Sequence, residues 1–149
     1  MAYHGDGILY GFQTDIIKAI NENTVTVRLL LAPKDSTVLY EVLELEGITA
    51  KNIIAKCKEK YDNEESYIKE IEERKTNGVS SIEIREYNTQ IRYAITIIDD
   101  EWAWWTPYHP GVRTEDSISF ELVNKGKASF FNLCNSYFNK LWNEGKTRI

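Results

Sequence analysis

Residues 91–106 read Ile-Arg-Tyr-Ala-Ile-Thr-Ile-Ile-Asp-Asp-Glu-Trp-Ala-Trp-Trp-Thr, two runs of strand-forming residues separated by three acidic residues. β-Branched and aromatic residues favour strands, and a tight polar turn between two such runs predicts a β-hairpin. Because successive side chains of a strand point to opposite faces, we expect Trp102 and Trp104 on one side of the second strand and Trp105 on the other.

The segments around this hairpin alternate between strand and helix patterns. Further strands are predicted at 7–12, 25–32, 81–87 and 118–123 from short apolar or alternating runs. Helices are predicted from Thr14 or Asp15 to Asn21, from 35 or 36 to 45, over 50–75 with a break near Asp62-Asn63, and from Ser129 to Gly145. This order predicts an α/β fold, with one mixed β-sheet flanked by helices on both faces, in a single domain over residues 1–149.

The composition limits the classes of partner. A net charge of -5 over 149 residues disfavours broad binding to nucleic acids or anionic membranes. No apolar run is long enough for a membrane span or a signal peptide, so we expect a cytoplasmic protein. Cys57 and Cys134 are predicted as small buried hydrophobic residues, with a disulfide or metal pair as the alternative. The sequence predicts neither a cofactor nor a metal site.

Three segments carry a family resemblance. They are Val25-Thr-Val-Arg-Leu-Leu30, Ile82-Glu-Ile-Arg-Glu-Tyr87 and Phe138-Asn-Lys-Leu-Trp142. With the order of elements from residue 7 to 144, they resemble one half-domain of the phospholipase D superfamily. The resemblance implies a phospholipase D-like fold and pairing about a twofold axis, either as a homodimer or with a fused or partner domain. It also implies a sensing role, because similar degenerate domains occur in bacterial regulatory and signalling proteins.

The signature of that family is only partly present. When its His-x-Lys-x4-Asp motif is aligned on Asp99, Arg92 stands at the position of the nucleophilic His and Ala94 at that of the Lys. Thr106 falls near the Ser of the return strand, and Glu121 falls on the strand that carries the family's Glu. A guanidinium has no lone pair for nucleophilic attack, and Ala94 cannot hold a phosphate. The resemblance therefore implies a non-catalytic domain.

Arg92 has two possible roles. Its guanidinium is suited to a phosphate or carboxylate ligand, or it forms a buried ion pair with Asp99 and Glu121. Close to the hairpin in the sequence are Thr106, Tyr108, His109 and Arg113. The predicted ligand-binding residues are Arg92, Asp99, Thr106, Tyr108, His109, Arg113 and Glu121.

The leading hypothesis is thus a non-catalytic domain that binds a small anionic ligand, phosphate- or nucleotide-like, or a protein partner. One alternative is an active phosphodiesterase or nuclease with an altered site that uses His109, since His suits acid–base chemistry near neutral pH. Another is a structural dimerisation module that pairs through the Trp-rich hairpin.

Overall fold

The structure is a computed structural model that describes residues 6–33, 37–45, 47–76, 81–90, 93–112 and 116–148. Four helices and six strands are assigned within these residues. In chain order they are α1 (Asp6–Glu22), β1 (Thr26–Leu31), α2 (Thr37–Leu45), α3 (Ala50–Arg74), β2 (Ser81–Glu86), β3 (Tyr93–Ile98), β4 (Trp102–Pro107), β5 (Phe120–Val123), α4 (Phe130–Glu144) and β6 (Lys146–Thr147). The expected α/β class is confirmed.

The first sheet has the order β1-β2-β6 and is mixed, because β1 and β2 are parallel and β6 is antiparallel to β2. Leu29 of β1 pairs with Ile84 of β2, and both pack with α1 and α3 in one hydrophobic cluster. Leu30 points to the other face and packs with α4. Both faces of this sheet are therefore covered by helices.

Helices α1 and α3 pack side by side on the first of these faces. Ile17 and Ile20 of α1 and Ile68 and Ile71 of α3 are all buried there. Asn21 joins the ends of the two helices, since its side chain donates to the Arg74 carbonyl (3.2 Å) and accepts from the Thr76 backbone N–H (2.8 Å). A second contact between helices buries Leu43 of α2 against Ile53 and Cys57 of α3.

The second sheet is an antiparallel meander, β3-β4-β5, which we call the hairpin sheet. The predicted hairpin is confirmed: β3 and β4 pair along their whole length, from Tyr93 opposite Pro107 to Ile98 opposite Trp102. Helix α4 contacts this sheet as well as the first one. Its buried residues share a core with Leu30 of β1 and with Ile95 and Ala103 of the hairpin. One helix thus holds the two sheets together.

Three expectations differ from the structure. The strands lie in two sheets and not in one, because the described residues show no pairing between β2 and β3. Residues 7–12 belong to α1 and not to a strand; apolar residues at 8, 12, 16 and 20 recur every four positions, which is a helical spacing. Helix α3 is continuous through Asp62-Asn63.

The ends of α4 match the sequence prediction. Ser129 is its N-cap, with the side-chain oxygen accepting from the Asn132 N–H. Gly145 ends the helix with an extended backbone that any residue can adopt. Glycine is suited to this position because there is little room for a side chain. An added Cβ would lie 3.1 Å from the carbonyl oxygens of Glu86 and Leu141. Gly145 thereby lets the chain turn directly into β6, a strand of two residues that the sequence did not indicate.

Candidate functional site

The acidic turn lies at one end of the hairpin. Asp99 and Asp100 both have positive φ values (52° and 54°), and the Glu101 N–H donates to the Ile98 carbonyl (3.1 Å). These are the features of a two-residue type I′ turn. Asp99 is exposed there. The six residues of β3 separate it from the other end of the hairpin by roughly 20 Å at the usual rise of a strand.

Thr106 lies at that other end, opposite Ala94. Its side chain is buried, and its hydroxyl is 2.6 Å from the Ser119 hydroxyl, with either oxygen able to donate. The structure therefore does not bring Asp99 and Thr106 together. Thr106 has the environment of a packed, hydrogen-bonded strand residue.

The other predicted ligand residues that the structure describes are Glu121, Tyr108 and His109. Glu121 is exposed on β5, opposite Trp104. Tyr108 packs against the core around α4. His109 is exposed, and its carbonyl accepts from the Val112 N–H in a turn (3.1 Å). The predictions for Arg92 and Arg113 lie outside the described residues.

The three segments that carry the family resemblance meet in the structure. The Arg28 guanidinium of β1 lies over the rings of Phe138 (5.3 Å) and Trp142 (5.4 Å). The Arg85 guanidinium of β2 lies over Trp142 (4.7 Å) and donates to the Trp142 carbonyl (2.8 Å). Cations stacked on aromatic faces stabilise by about 0.5–2 kcal/mol. These residues fasten α4 to the first sheet.

Asparagine side chains extend this connection to the hairpin turn. The Asn135 amide donates to Asp100 Oδ1 (3.2 Å), and its oxygen accepts from the Asn139 amide (3.2 Å). Arg28 Nη1 in turn donates to Asn139 Oδ1 (3.3 Å). Asn132 begins the same helical row and binds Asn124 in the loop before α4 (2.8 Å). The sequence signal for this row is the spacing of Asn132, Asn135 and Asn139, which places them along one side of the helix.

The tryptophans of β4 divide as predicted. Trp102 and Trp104 lie on the outer face of the hairpin sheet with their rings edge to face (4.5 Å between centroids), and 42% of Trp104 is exposed. Trp105 lies on the inner face, against Tyr93 (5.8 Å). Trp104 is therefore exposed, whereas Trp102 and Trp105 are half-buried.

A group of exposed apolar side chains lies where the inner face of the hairpin sheet meets the start of α4. The Trp105 ring contacts Phe120 of β5 (5.8 Å) and Phe130 of α4 (5.3 Å). Phe120 is 50% exposed, Phe130 48% and Leu133, one turn further along α4, 65%. We call these four residues the aromatic patch. Phe130 shares the helical spacing of the buried Cys134 and Phe138, but its ring lies at the edge of that core.

Searches for similar proteins found no match among family models, curated proteins or solved structures. No family is assigned. The phospholipase D-like resemblance therefore remains a prediction.

The structure contains a buried charge cluster around Arg148 that the sequence did not reveal. The Arg148 side chain is 5% exposed, and its guanidinium donates to Glu64 (3.0 Å) and Glu65 (3.3 Å) of α3. It also lies 3.7 Å from a carboxylate oxygen of Glu86 and stacks 3.9 Å above the Tyr61 ring. Burial lowers the pKa of Arg148, but the hydrogen bond and charge of Glu64, together with Tyr61 and Glu65, leave the pKa raised. We call this cluster the Arg148 clasp.

Other buried ionisable groups are held in their neutral forms. Burial raises the pKa of the Cys57 thiol, which nearby Lys60 partly offsets, and burial also raises the pKa of the Cys134 thiol. Both cysteines are free and buried, which confirms the prediction for them. Burial likewise raises the pKa of Tyr93 far above its usual range. None of these groups is tuned toward the ionised form that a nucleophile requires.

None of the described helices is both long enough and apolar enough to cross a membrane. Within the described residues, no group of three or more His, Cys, Asp or Glu side chains is arranged to hold a metal ion.

Proposed function

We propose that this chain is a non-catalytic interaction domain that binds a protein partner through the aromatic patch. The observation that carries the proposal is the contact of Trp105 with Phe120 and Phe130, with Leu133 lining the same groove as Phe130. Phe120, Phe130 and Leu133 are each about half exposed or more. Contiguous exposed apolar side chains on a soluble domain mark interaction surfaces, and aromatic residues contribute most of the energy of such contacts. The phospholipase D-like character and the role in bacterial regulation are parts of the same proposal.

The non-catalytic part of the proposal rests on chemistry. Arg92 replaces the nucleophilic His of the motif and cannot attack phosphorus. Among the described candidates, Asp99 and Thr106 lie at opposite ends of the hairpin, and His109 is exposed without a hydrogen bond or ion pair from its side chain to another described residue. A partner-binding role needs none of these groups to converge.

Site-directed photo-crosslinking in the native host tests this function. A benzoylphenylalanine at Leu133 is expected to crosslink reproducibly to one protein, because that side chain is exposed beside Phe130. The same probe at Glu72, exposed on α3, is the matched control and should not yield that product. The product should also disappear when Phe130→Asp is added. Equal crosslinking from both positions, or none from Leu133, would refute the proposal.

A second candidate function is self-association through the outer face of the hairpin sheet. It is favoured by one observation: Trp104 is 42% exposed and Val123, its neighbour on the same face, is 46% exposed. An isologous dimer would cover this face with its own copy. Sedimentation equilibrium should then show a dimer that Trp104→Thr converts to a monomer. A monomer at every concentration of the unaltered protein would eliminate this candidate.

A further inference from the structure

The aromatic patch borders an open groove along the first half of α4, and we propose that this groove binds an acidic amphipathic helix of a different protein. This inference rests on the proposed function and names its partner. The groove has a volume of about 640 Å³. It is lined by Lys127, Ala128, Ser129, Phe130, Asn132, Leu133 and Ser136.

The apolar part of the groove has the spacing that suits a helix. Phe130 and Leu133 stand three residues apart on α4, and both line the groove while remaining largely exposed. Amphipathic helices bind such grooves by inserting apolar side chains spaced by three, four or seven residues. Two anchors of this kind would contact Phe130 and Leu133, and the next turn of the partner would reach the polar Ser136.

The charge around the groove selects an acidic partner. Residues 122–143 contain three lysines and no acidic residue, although the whole chain has a net charge of -5. Lys127 lines the groove, and Lys140 is exposed two turns beyond Leu133. The positive end of the α4 dipole adds to these charges at the groove's beginning. Lys127 beside the apolar side chains of the groove, with Lys140 further along α4, attracts carboxylates that flank apolar anchors.

The same charges argue against a second copy of this chain as the occupant. Two α4 helices packed against each other would place their lysines together without acidic partners. The acidic segment of the chain is 59–73 in α3, with seven acidic residues and two lysines. Its large apolar side chains are all buried or half-buried, and the exposed Ile54 lies outside the segment. This described segment of α3 therefore offers acidic groups without exposed apolar anchors beside them.

A pair of synthetic helical peptides tests the inference. One carries leucines at positions one, four and eight with glutamates on the flanks, and the other is identical except that lysines replace the glutamates. Fluorescence anisotropy should show the glutamate peptide binding at least about tenfold more tightly than the lysine peptide, with the preference decreasing as salt is added.

Variants then locate the binding. Leu133→Ser is expected to weaken binding of the glutamate peptide by about tenfold or more. Lys127→Glu with Lys140→Glu should abolish or reverse the preference between the two peptides. The matched control is Lys18→Glu with Lys58→Glu, which makes the same change of charge at exposed positions on α1 and α3. That control should leave the preference intact, and circular dichroism verifies that every variant is folded.

The outcomes separate this inference from the proposed function. If neither peptide binds, or both bind equally, while Leu133 still crosslinks to a partner in the host, the inference is wrong and the interaction domain stands. If the peptide preference and the Leu133 crosslink are both absent, the inference and the proposed function are both refuted. A third outcome is that the unaltered protein binds anionic lipid vesicles, shows no preference between the peptides, and loses vesicle binding in the lysine variants. The ligand of the groove would then be a membrane surface, and the inference would be overturned.

Discussion

The two sheets of this protein differ in what covers them. In the first sheet, Leu30 faces α4 and Ile84 faces α1 and α3, and both side chains are completely buried. In the hairpin sheet, Ile95 and Ala103 are buried on the inner face, whereas Trp104 on the outer face is 42% exposed. A sheet covered on both sides contributes mainly stability. A sheet with one open face and an exposed apolar edge has surface left for recognition.

The polar groups follow the same division. In the Arg148 clasp, on the side of the first sheet, the side chains of Arg148 and Glu64 are both nearly inaccessible to solvent. On the hairpin side, Asp99, His109 and Glu121 are exposed. The difference predicts that disruption of the first sheet unfolds the protein, while changes on the hairpin side mainly alter binding.

The largest effect is expected for Arg148→Ala. This change leaves Glu64 buried without its principal charge partner, and removal of one member of a buried ion pair costs about 3–5 kcal/mol. Chemical denaturation measures the loss. The control is Arg74→Ala, which breaks an ion pair with Glu70 (3.1 Å) between half-exposed side chains and should cost about 0–1 kcal/mol. Equal losses would mean that the clasp contributes no more than a surface pair.

A paired truncation tests the contrast between the sheets directly. Ile84→Ala, in the first sheet, should cost about 2–5 kcal/mol because the residue is completely buried. Trp104→Thr, on the outer face of the hairpin sheet, should cost no more than about 1.5 kcal/mol, which is the loss of its edge-to-face contact with Trp102. Measurement at two protein concentrations separates self-association from folding. A loss for Trp104→Thr as large as that for Ile84→Ala would show that the outer face is covered.

The hairpin could be predicted because its signals are local. Alternating β-formers and a polar turn lie within sixteen consecutive residues, 91–106, and they specify the strands and the sides of the tryptophans. The Arg148 clasp could not be predicted in this way. It depends on a two-residue strand and on contacts between Arg148 and Glu64, which are far apart in the chain. A single Arg in sequence gives no sign of such burial.

The separation of Asp99 from Thr106 has a reason that the sequence contains. Family-motif alignment suggested that Asp99 and Thr106 belong to one site, but six strand residues lie between the start of β3 and Asp99. A fully extended segment of that length places its ends roughly 20 Å apart. The aromatic patch was missed because Phe130 shares the spacing of the buried residues of α4, and only the edge position of its ring leaves it exposed.

The smallest effect is expected for Asp99→Gly in the hairpin turn. Asp99 has a φ of 52°, a conformation that glycine adopts at no steric cost and other residues only with strain. The substitution should therefore raise the free energy of unfolding by up to about 1 kcal/mol. Thermal or chemical denaturation measures the gain.

Asp99→Ala provides the opposite control, since alanine is poorly suited to a positive φ and lacks the polar side chain that helps Asp tolerate it. We expect this variant to be less stable than the unaltered protein, and the glycine variant more stable. If both variants are destabilised to the same extent, the carboxylate of Asp99 itself contributes to the fold. Such a result would mean that Asp99 has a structural role and is not simply part of the exposed surface. Its neighbour Asp100 already has such a role, because it accepts a hydrogen bond from the row of asparagines on α4.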